Sequence, residues 1–164
     1  MKQLLVLTAI LIGITFSSQG QYSYNNSLRT GSTPYANCYG RNLVCNSNGC
    51  SEIKVKTPYN SDVLVTIKKN GNVIKHAYIK GGDSYTFSFP NGTYQPFFYY
   101  GKDWNPNKLM KSNNCGGIKG GFNKNESFGK DYPQRLNGQA LQYTLILQQN
   151  GNFSTKPSNS SEAF

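Results

Sequence analysis

The sequence predicts an all-β protein: a single antiparallel β-sandwich or open barrel built from hairpins, with an irregular, disulfide-tied N-terminal arm. Three observations support this fold class. Apolar and polar residues alternate at every second position in several short stretches, and Asn-Gly or Pro-Asn-Gly turn sequences separate these stretches. No stretch carries a sustained run of apolar residues at helical spacing. Strands and turns that recur about every 8 to 12 residues are typical of sandwiches and barrels.

Residues 1–20 are predicted to form a signal peptide. Lys2 supplies the positive start, and Leu4–Phe16 form an uncharged apolar run. Ser18 and Gly20 fit the small-residue pattern of a cleavage site. The run of 13 residues is shorter than the roughly 20 that a membrane-spanning helix needs. We therefore expect cleavage after Gly20 and a secreted or periplasmic protein without a membrane span.

The chain is basic, and the kind of basic residue bears on its partners. It has 17 Lys and Arg residues against seven Asp and Glu, for a net charge of +10, and 14 of the 17 are Lys. Lys is a solvated point charge, whereas specific recognition of phosphate or carboxylate favours the fork of Arg. The composition indicates a solvated surface with weak attraction to polyanions, and it argues against specific nucleic-acid binding. We expect a monomer.

Four cysteines, Cys38, Cys45, Cys50 and Cys115, predict two disulfides in an exported chain. Three pairings are possible, and the sequence does not choose between them. One of them combines a long-range Cys50–Cys115 bridge with a local Cys38–Cys45 loop. A metal site made of all four thiolates is the alternative, but two closely spaced CxxC pairs are missing. We therefore expect no metal and no cofactor.

Residues 21–49, rich in Asn, Ser, Tyr and Gly, are predicted to form the irregular arm, and residues 50–154 the sandwich. Within the sandwich, residues 62–69 alternate with the period of a strand. Asn70-Gly71 supplies a turn that tolerates positive φ, and Val73–Ile79 leads back. This pattern predicts an antiparallel hairpin.

A second hairpin is predicted immediately afterwards. Tyr85–Phe89 has an aromatic residue at every second position, Pro90–Gly92 makes a turn, and Thr93–Tyr100 runs back. Gly81–Asp83 links the two hairpins. Together these segments predict a meander of adjacent strands.

The remainder of the chain gives weaker signals. Beyond Lys102 the pattern is irregular and is compatible with a short helical turn near Pro106–Lys111. The glycine pairs at 116–117 and 120–121 favour a flexible loop or bulge over a phosphate-binding loop, which needs a strand before it and a helix after it. A last half-buried strand follows, and residues 155–164 are expected to form a disordered polar tail. The apolar face of that strand carries Leu141, Tyr143, Leu145 and Leu147.

The block Asp62–Tyr100 also carries a resemblance to known modules. Its order is strand, basic Asn-Gly hairpin, strand, Gly-Gly-Asp, aromatic strand and FPNGTY. In this order it resembles the small extracellular β-sandwich modules of the PEGA and carboxypeptidase-regulatory (transthyretin-like) families. Those modules place a Pro-x-Gly-x-Tyr turn, like Pro90, Gly92 and Tyr94 here, before a strand. The resemblance implies a sandwich fold.

A longer resemblance spans most of the chain. The text from DVLVTIKKNG through NGTYQPFFYYGKDWNPNK to LILQQNGNFSTKPS is similar to a group of small exported bacterial β-sandwich proteins of unassigned function. This resemblance implies a self-contained secreted module. It transfers no catalytic residue.

No catalytic motif stands out. His76 is the only histidine, and no nucleophile accompanies it, so a structural role is the better interpretation. Asp62 and Asp83 lie at predicted turns, where Asp bonds its own backbone. A glycosidase needs two carboxylates across a cleft. Asp103 is the acid to watch, because an Asp beside an aromatic residue such as Trp104 lines many sugar sites; turn chemistry before Asn105-Pro106 is the alternative.

The stretch NGTYQPFFYYGKDWNP, residues 91–106, poses the main question. One face of strand 93–100 carries Tyr94, Phe98 and Tyr100, and the other carries Phe97 and Tyr99. A sandwich strand needs only one apolar face, so the second face is either covered or exposed for binding. The arm supplies four tyrosines that would cover it: Tyr22, Tyr24, Tyr35 and Tyr39.

The composition and motifs favour a secreted, non-catalytic binding or accessory module whose aromatic surface stacks on an extracellular or envelope glycan or on a partner protein. The alternative is an exported hydrolase of envelope polysaccharide or peptide polymers, using Asp103 and a second carboxylate. A membrane-active role is disfavoured, because no amphipathic basic helix is present. The predicted binding residues are Phe97, Tyr99, Tyr100 and Trp104, with Lys102 and Lys108 at the rim.

Overall fold

The computed structural model describes residues 26–46, 49–112, 115–147 and 156–164. The predicted signal peptide lies outside these ranges. Within them the chain forms nine strands and two one-turn helices. The strands are β1 Ser51–Lys56, β2 Asp62–Lys69, β3 Asn72–Ile79, β4 Ser84–Phe89, β5 Gly92–Met110, β6 Ile118–Lys130, β7 Gln134–Leu136, β8 Ala140–Thr144 and β9 Lys156–Pro157. The helices are α1 Ala36–Tyr39 and α2 Ser160–Ala163.

The strands form two sheets, which confirms the predicted all-β, sandwich-like class. The smaller sheet has the order β4-β1-β8, and the larger has the order β3-β2-β5-β6-β9, with β7 paired to the start of β5. Neighbouring strands are antiparallel except β1 and β8, which are parallel. The predicted hairpin at Asn70-Gly71 is confirmed: β2 pairs with β3, and both turn residues have positive φ.

The predicted second hairpin is wrong. β4 pairs with β1 in the smaller sheet, whereas β5 pairs with β2 in the larger one. The turn at Pro90–Gly92 therefore carries the chain from one sheet to the other. The aromatic rings of the two strands meet across the interior instead of side by side, with Phe89 and Tyr94 4.5 Å apart. Facing sheets bury such side chains between them.

The region predicted to be irregular is the far half of strand β5. This strand continues to Met110 and pairs with β6, and no helical turn forms at 106–110. Pairing shifts register between Tyr100 and Lys102 and again between Asn105 and Leu109. Such bulges break the two-residue alternation, which is why the sequence pattern did not reveal the strand.

The bulges also bend the far part of the β5–β6 hairpin, described over residues 102–112 and 115–124, back over its own sheet. We call this part the fold-back hairpin. The Phe122 ring lies 4.8 Å from that of Tyr99, and the Trp104 ring lies 5.4 Å from that of Tyr78 on β3. Gly101 makes room for this fold-back, since a Cβ there would overlap the side chain of Phe122. Gly120, at φ 118°, lies under the Trp104 ring in the same way.

The larger sheet consequently has apolar contacts on both faces. One face packs against the smaller sheet and forms the inner core of the sandwich. The other face packs under the fold-back hairpin, the arm and residues 156–164, and we call this layer the second core. The inner core includes Ile53, Val65, Phe87, Phe98 and Tyr143. The second core includes Tyr35, Leu64, Tyr78, Phe97, Tyr99, Trp104, Phe122 and Phe164.

The arm closes the open edge of β3. Gly31 N donates to the Tyr78 carbonyl and Tyr78 N donates to the Ser32 carbonyl, both at 2.8 Å. Two residues earlier on β3, the Asn42 side chain of the arm bonds the backbone of His76. Its Oδ1 accepts from His76 N at 3.1 Å, and its Nδ2 donates to the His76 carbonyl at 2.8 Å. These bonds occupy backbone groups that an edge strand otherwise leaves open to another chain.

Both predicted disulfides form. Cys38 bonds to Cys115, and Cys45 bonds to Cys50. The arrangement with Cys50 bridged to Cys115 is not the one adopted. The long-range bridge instead ties the arm to the loop between β5 and β6, where both cysteines pack against the second core.

Residues 156–164 are ordered, so the expectation of a disordered tail is wrong over this range. β9 pairs with the end of β6, and Phe164 is fully buried against the second core. One aromatic side chain at the end of a polar stretch supplies this anchor. Tyr143 on the preceding strand and Leu145 just after that strand are buried as predicted, whereas Leu141 is partly buried and Leu147 is 46% exposed.

The fold-back hairpin predicts a strong effect of Gly101→Ala. The added methyl group would lie well inside the 3.0 Å that real Cβ atoms keep from neighbours, against Phe122. We expect the free energy of unfolding to fall by about 2 kcal/mol or more, measured by urea denaturation. Gly138→Asn is the control, because Gly138 has open space around it at φ 64°, which Asn tolerates. Equal stabilities of the two variants would contradict the close packing.

The two disulfides predict unequal stabilisation. They link cysteines separated by 77 and 5 positions. In the chain-entropy description, the long bridge contributes about 4 to 5 kcal/mol and the short one about 2 kcal/mol. Replacing Cys38 and Cys115 with Ala is therefore expected to lower the unfolding free energy roughly twice as much as replacing Cys45 and Cys50. Equal losses in urea denaturation would speak against the long bridge as the main covalent tie.

Candidate functional site

The aromatic residues that were predicted to form a binding surface are buried. Phe97 is 5% exposed, Tyr99 1%, Tyr100 7% and Trp104 2%. The expectation of an open aromatic platform is corrected accordingly. The coverage comes from the arm, as one of the two alternatives foresaw, and also from the fold-back hairpin and residues 156–164.

The four aromatics do not form one site. Tyr100 points into the inner core, whereas Phe97 and Tyr99 lie in the second core. Trp104 also belongs to the second core, but it lines two clefts at the surface. Only Trp104 of these four therefore meets a described cleft.

The two lysines predicted at the rim also separate. Lys108 ion-pairs with Glu126 at 2.6 Å and donates to the carbonyl of Phe122 at 2.5 Å, so it fastens the fold-back hairpin. Lys102 lies opposite Lys124 in the β5–β6 pairing, near the first bulge. Neither lysine lines the clefts described below.

Three adjoining clefts, of about 350, 350 and 460 Å³, run between the arm and the fold-back hairpin. They share walls, since Trp104 and Pro106 line the first two and Pro106 and Lys119 line the second and third. We call them together the arm–hairpin groove. Its polar lining includes Asn26, Asn37, Asn105, Asn123, Ser32 and Thr33. Its apolar lining includes Leu28, Pro34, Trp104 and Pro106.

Asp103 organises the carboxamides at one end of the groove. Its carboxylate accepts hydrogen bonds from the side chains of Asn26 at 2.8 Å and Asn123 at 3.4 Å. Lys124 lies 3.8 Å away. The Asn26 hydrogen bond, then that of Asn123, and further the charge of Lys124 lower the pKa of Asp103. Asp103 is thus held as a carboxylate that orients its neighbours.

The backbone explains how these side chains converge. Asp103 has a φ of 59°, in the left-handed region that Asp and Asn tolerate. It follows the first bulge of β5, directly across from Asn123 on β6. Asn105 Nδ2 in turn lies 3.4 Å from Asn123 Oδ1. The groove residues Asn26, Asn105 and Asn123 were not predicted from the sequence, because they belong to segments without alternation.

His76 has a structural position, as the sequence analysis favoured. It is fully buried, and its Nε2 accepts a hydrogen bond from the backbone of Tyr35 at 3.1 Å. The Tyr35 ring stacks on it with centroids 5.8 Å apart. Burial lowers the pKa of His76 to about 4, so the ring is neutral at pH 7.

Across the described ranges, no cluster of three or more His, Cys, Asp or Glu residues is arranged to hold a metal ion. None of the helices formed by the described part of the chain has the length and apolar character needed to cross a membrane.

Comparison with known proteins yields no match to a family model, to a curated protein or to a solved structure. The resemblances to exported bacterial proteins and to PEGA-type modules therefore stay predictions.

The buried, neutral His76 predicts a pH dependence of stability. Unfolded His has a pKa of about 6.5, whereas the folded value is about 4. Between these values only the unfolded chain takes up the proton, so folding stability falls as pH drops from 6.5 to 4 and then levels off. The loss amounts to about 3 kcal/mol.

Replacing His76 with Gln removes this titration and keeps a side-chain acceptor. We expect the difference in unfolding free energy between wild type and His76→Gln to change by about 3 kcal/mol between pH 7.5 and pH 4. Urea denaturation at each pH measures it, and the carboxylates common to both proteins cancel. Parallel pH profiles would show that His76 is not buried as a neutral ring.

Proposed function

We propose that this protein is a secreted, non-catalytic binding module that holds a neutral, hydroxyl-rich ligand of the glycan class in the arm–hairpin groove. The observation that carries the proposal is the groove itself, lined by carboxamides and hydroxyls over an apolar floor. Export is supported by the predicted signal peptide and by two disulfides, which persist in oxidising compartments.

The lining suits sugar hydroxyls. A carboxamide presents two donors and an acceptor, so it pairs with a hydroxyl in either direction. Pro106 and Leu28 offer apolar surface beside these groups, with the almost fully buried Trp104 in the same lining. Small-molecule sites commonly combine a mostly apolar wall with a few convergent polar groups, and this groove has both parts.

The groove is also preorganised. The Cys38–Cys115 bridge joins its two walls covalently. The Tyr35 hydroxyl crosses the same gap and donates to the Gly120 carbonyl at 2.7 Å. Walls that are fixed before binding reduce the entropy lost when a ligand is ordered, which favours affinity from few contacts.

Electrostatics favour a neutral ligand over a polyanion. Lys119 is the charged side chain among the residues that line the three clefts. The nearby Asp103 is compensated by Asn26, Asn123 and Lys124. Binding that depends on neutral hydrogen bonds changes little with salt, because screening acts on charges.

The hydrolase alternative gains no support from this site. Glycoside hydrolysis requires two carboxyl groups about 5 to 10 Å apart across the substrate, one of them a proton donor. No Asp or Glu lines the three described clefts. The lowered pKa of Asp103 also opposes a role as general acid, which needs a raised pKa.

The test is calorimetric titration of the protein, with disulfides intact, against neutral oligosaccharides and polyanions at low and high salt. We expect saturable binding of a neutral oligosaccharide that persists at high salt. The double variant Asn105→Ala/Asn123→Ala is expected to weaken it about 10- to 100-fold, because each lost hydrogen bond is worth about 1 kcal/mol. Trp104→Ala is unsuitable, since Trp104 is part of the second core.

Asn60→Ala is the matched control, because Asn60 is an exposed Asn in the loop between β1 and β2. We expect wild-type binding from it. Binding only to polyanions and only at low salt, or equal binding by the groove variant and the control, would count against the proposal.

A further inference from the structure

Residues 156–164 lie on the larger sheet in the manner of a docked peptide. Backbone contact with the sheet is short: Lys156 pairs with Lys130, Pro157 pairs with Gly129, and Ser158 N donates to the Phe128 carbonyl at 3.3 Å. The remaining contacts come from β2, β5, β6, the arm and residues 111–112, which reach individual groups of the segment. In peptide-binding sites, pockets and charged groups that contact individual side chains give the specificity for the peptide sequence.

Phe164 is the apolar anchor. Its ring lies 5.1 Å from that of Tyr35, 5.8 Å from that of Tyr99 and 6.1 Å from that of Phe128, and no part of the residue is exposed. Its carbonyl oxygen accepts hydrogen bonds from the Tyr39 hydroxyl at 2.8 Å and the Ser112 hydroxyl at 3.2 Å. An aromatic residue in a desolvated pocket is the typical hot spot of an interface.

The two residues before Phe164 also make specific contacts with the rest of the protein. Ala163 is 1% exposed, and its carbonyl accepts from the Thr66 hydroxyl at 2.8 Å, so the position admits a small side chain only. The Glu162 carboxylate ion-pairs with Lys130 at 2.8 Å, and the Glu162 carbonyl accepts from Lys68. The site therefore matches an acidic residue, a small residue and Phe in succession.

We propose that this pocket is a peptide-recognition site for a partner polypeptide carrying an acidic–small–Phe sequence, and that residues 156–164 are its intramolecular occupant. The charges favour such a partner, since Lys68 and Lys130 face the acidic position. A partner binds when it displaces the segment, which then acts as a competitor within the same chain. The pocket lies on the second core; it shares Tyr35 with one cleft of the arm–hairpin groove, but its contacts with Glu162 and Ala163 involve no groove residue.

The test uses the full chain and a fluorescein-labelled peptide with the sequence of residues 158–164, SNSSEAF. Fluorescence anisotropy is measured with wild type and with Phe164→Ala, in which the anchor of the internal competitor is removed. We expect saturable binding to Phe164→Ala that is at least tenfold tighter than binding to wild type. Control peptides in which Phe becomes Ala, or Glu becomes Lys, are expected to bind at least tenfold more weakly.

A second variant is included in case Phe164→Ala does not fold. Glu162→Lys disrupts the internal segment at a position that is 43% exposed, and it leaves the pocket intact. If Phe164→Ala is unfolded alone, the peptide is expected to restore its thermal transition, because a ligand of the folded state stabilises that state. The proposal is overturned if the peptide neither binds a folded variant nor restores an unfolded one, or if the control peptides act equally well.

Discussion

The outer face of the larger sheet must be removed from water, and most of the remaining architecture follows from that requirement. Leu64, Tyr78 and Tyr99 point away from the smaller sheet and form a continuous apolar surface. A two-layer sandwich would leave this surface exposed. Burying a large apolar side chain is worth about 1.5 to 3 kcal/mol, so a third layer over several such residues contributes substantially to stability.

Three separate pieces of chain make that third layer. The β5–β6 hairpin folds back at its bulges, the arm crosses the edge of β3, and residues 156–164 add Phe164. Over the residues that the structure describes, none of the three pieces forms a separate sheet over this face. Each is held by a small number of specific contacts, and the Cys38–Cys115 bridge joins two of them. Both the arm–hairpin groove and the peptide pocket lie where these pieces meet.

Buried polar groups fix how the pieces fit together. Asp62, almost fully buried, accepts hydrogen bonds from the hydroxyls of Ser27 in the arm and Tyr78 on β3, and from the backbone of Gly81. Burial, reinforced by the hydrogen bond to Asp62, raises the pKa of Tyr78, so this phenol stays a donor. A satisfied buried network of this kind specifies one arrangement, because any other leaves a polar group unpaired.

The sequence carried the local features and missed the non-local ones. The β2–β3 hairpin was predictable because alternation and an Asn-Gly turn are local signals. Strand β1 was not predicted, although its buried residues Ser51, Ile53 and Val55 alternate with exposed ones. The partner of β4 was not predictable, since β1 lies far earlier in the chain and nothing local to β4 selects β1 over the neighbouring β5. The groove was not predictable either, because Asn26, Asn105 and Asn123 converge only through bulges and the docking of the arm.

The second core can be tested directly through Trp104, the only tryptophan. The measurement is the fluorescence of the disulfide-intact protein together with quenching by acrylamide, compared with the protein unfolded in urea. A Trp104 that is 2% exposed is expected to give blue-shifted emission and weak quenching when folded, and both should revert on unfolding. Folded protein with the emission and quenching of a water-exposed indole would show that the arm and hairpin do not cover this face.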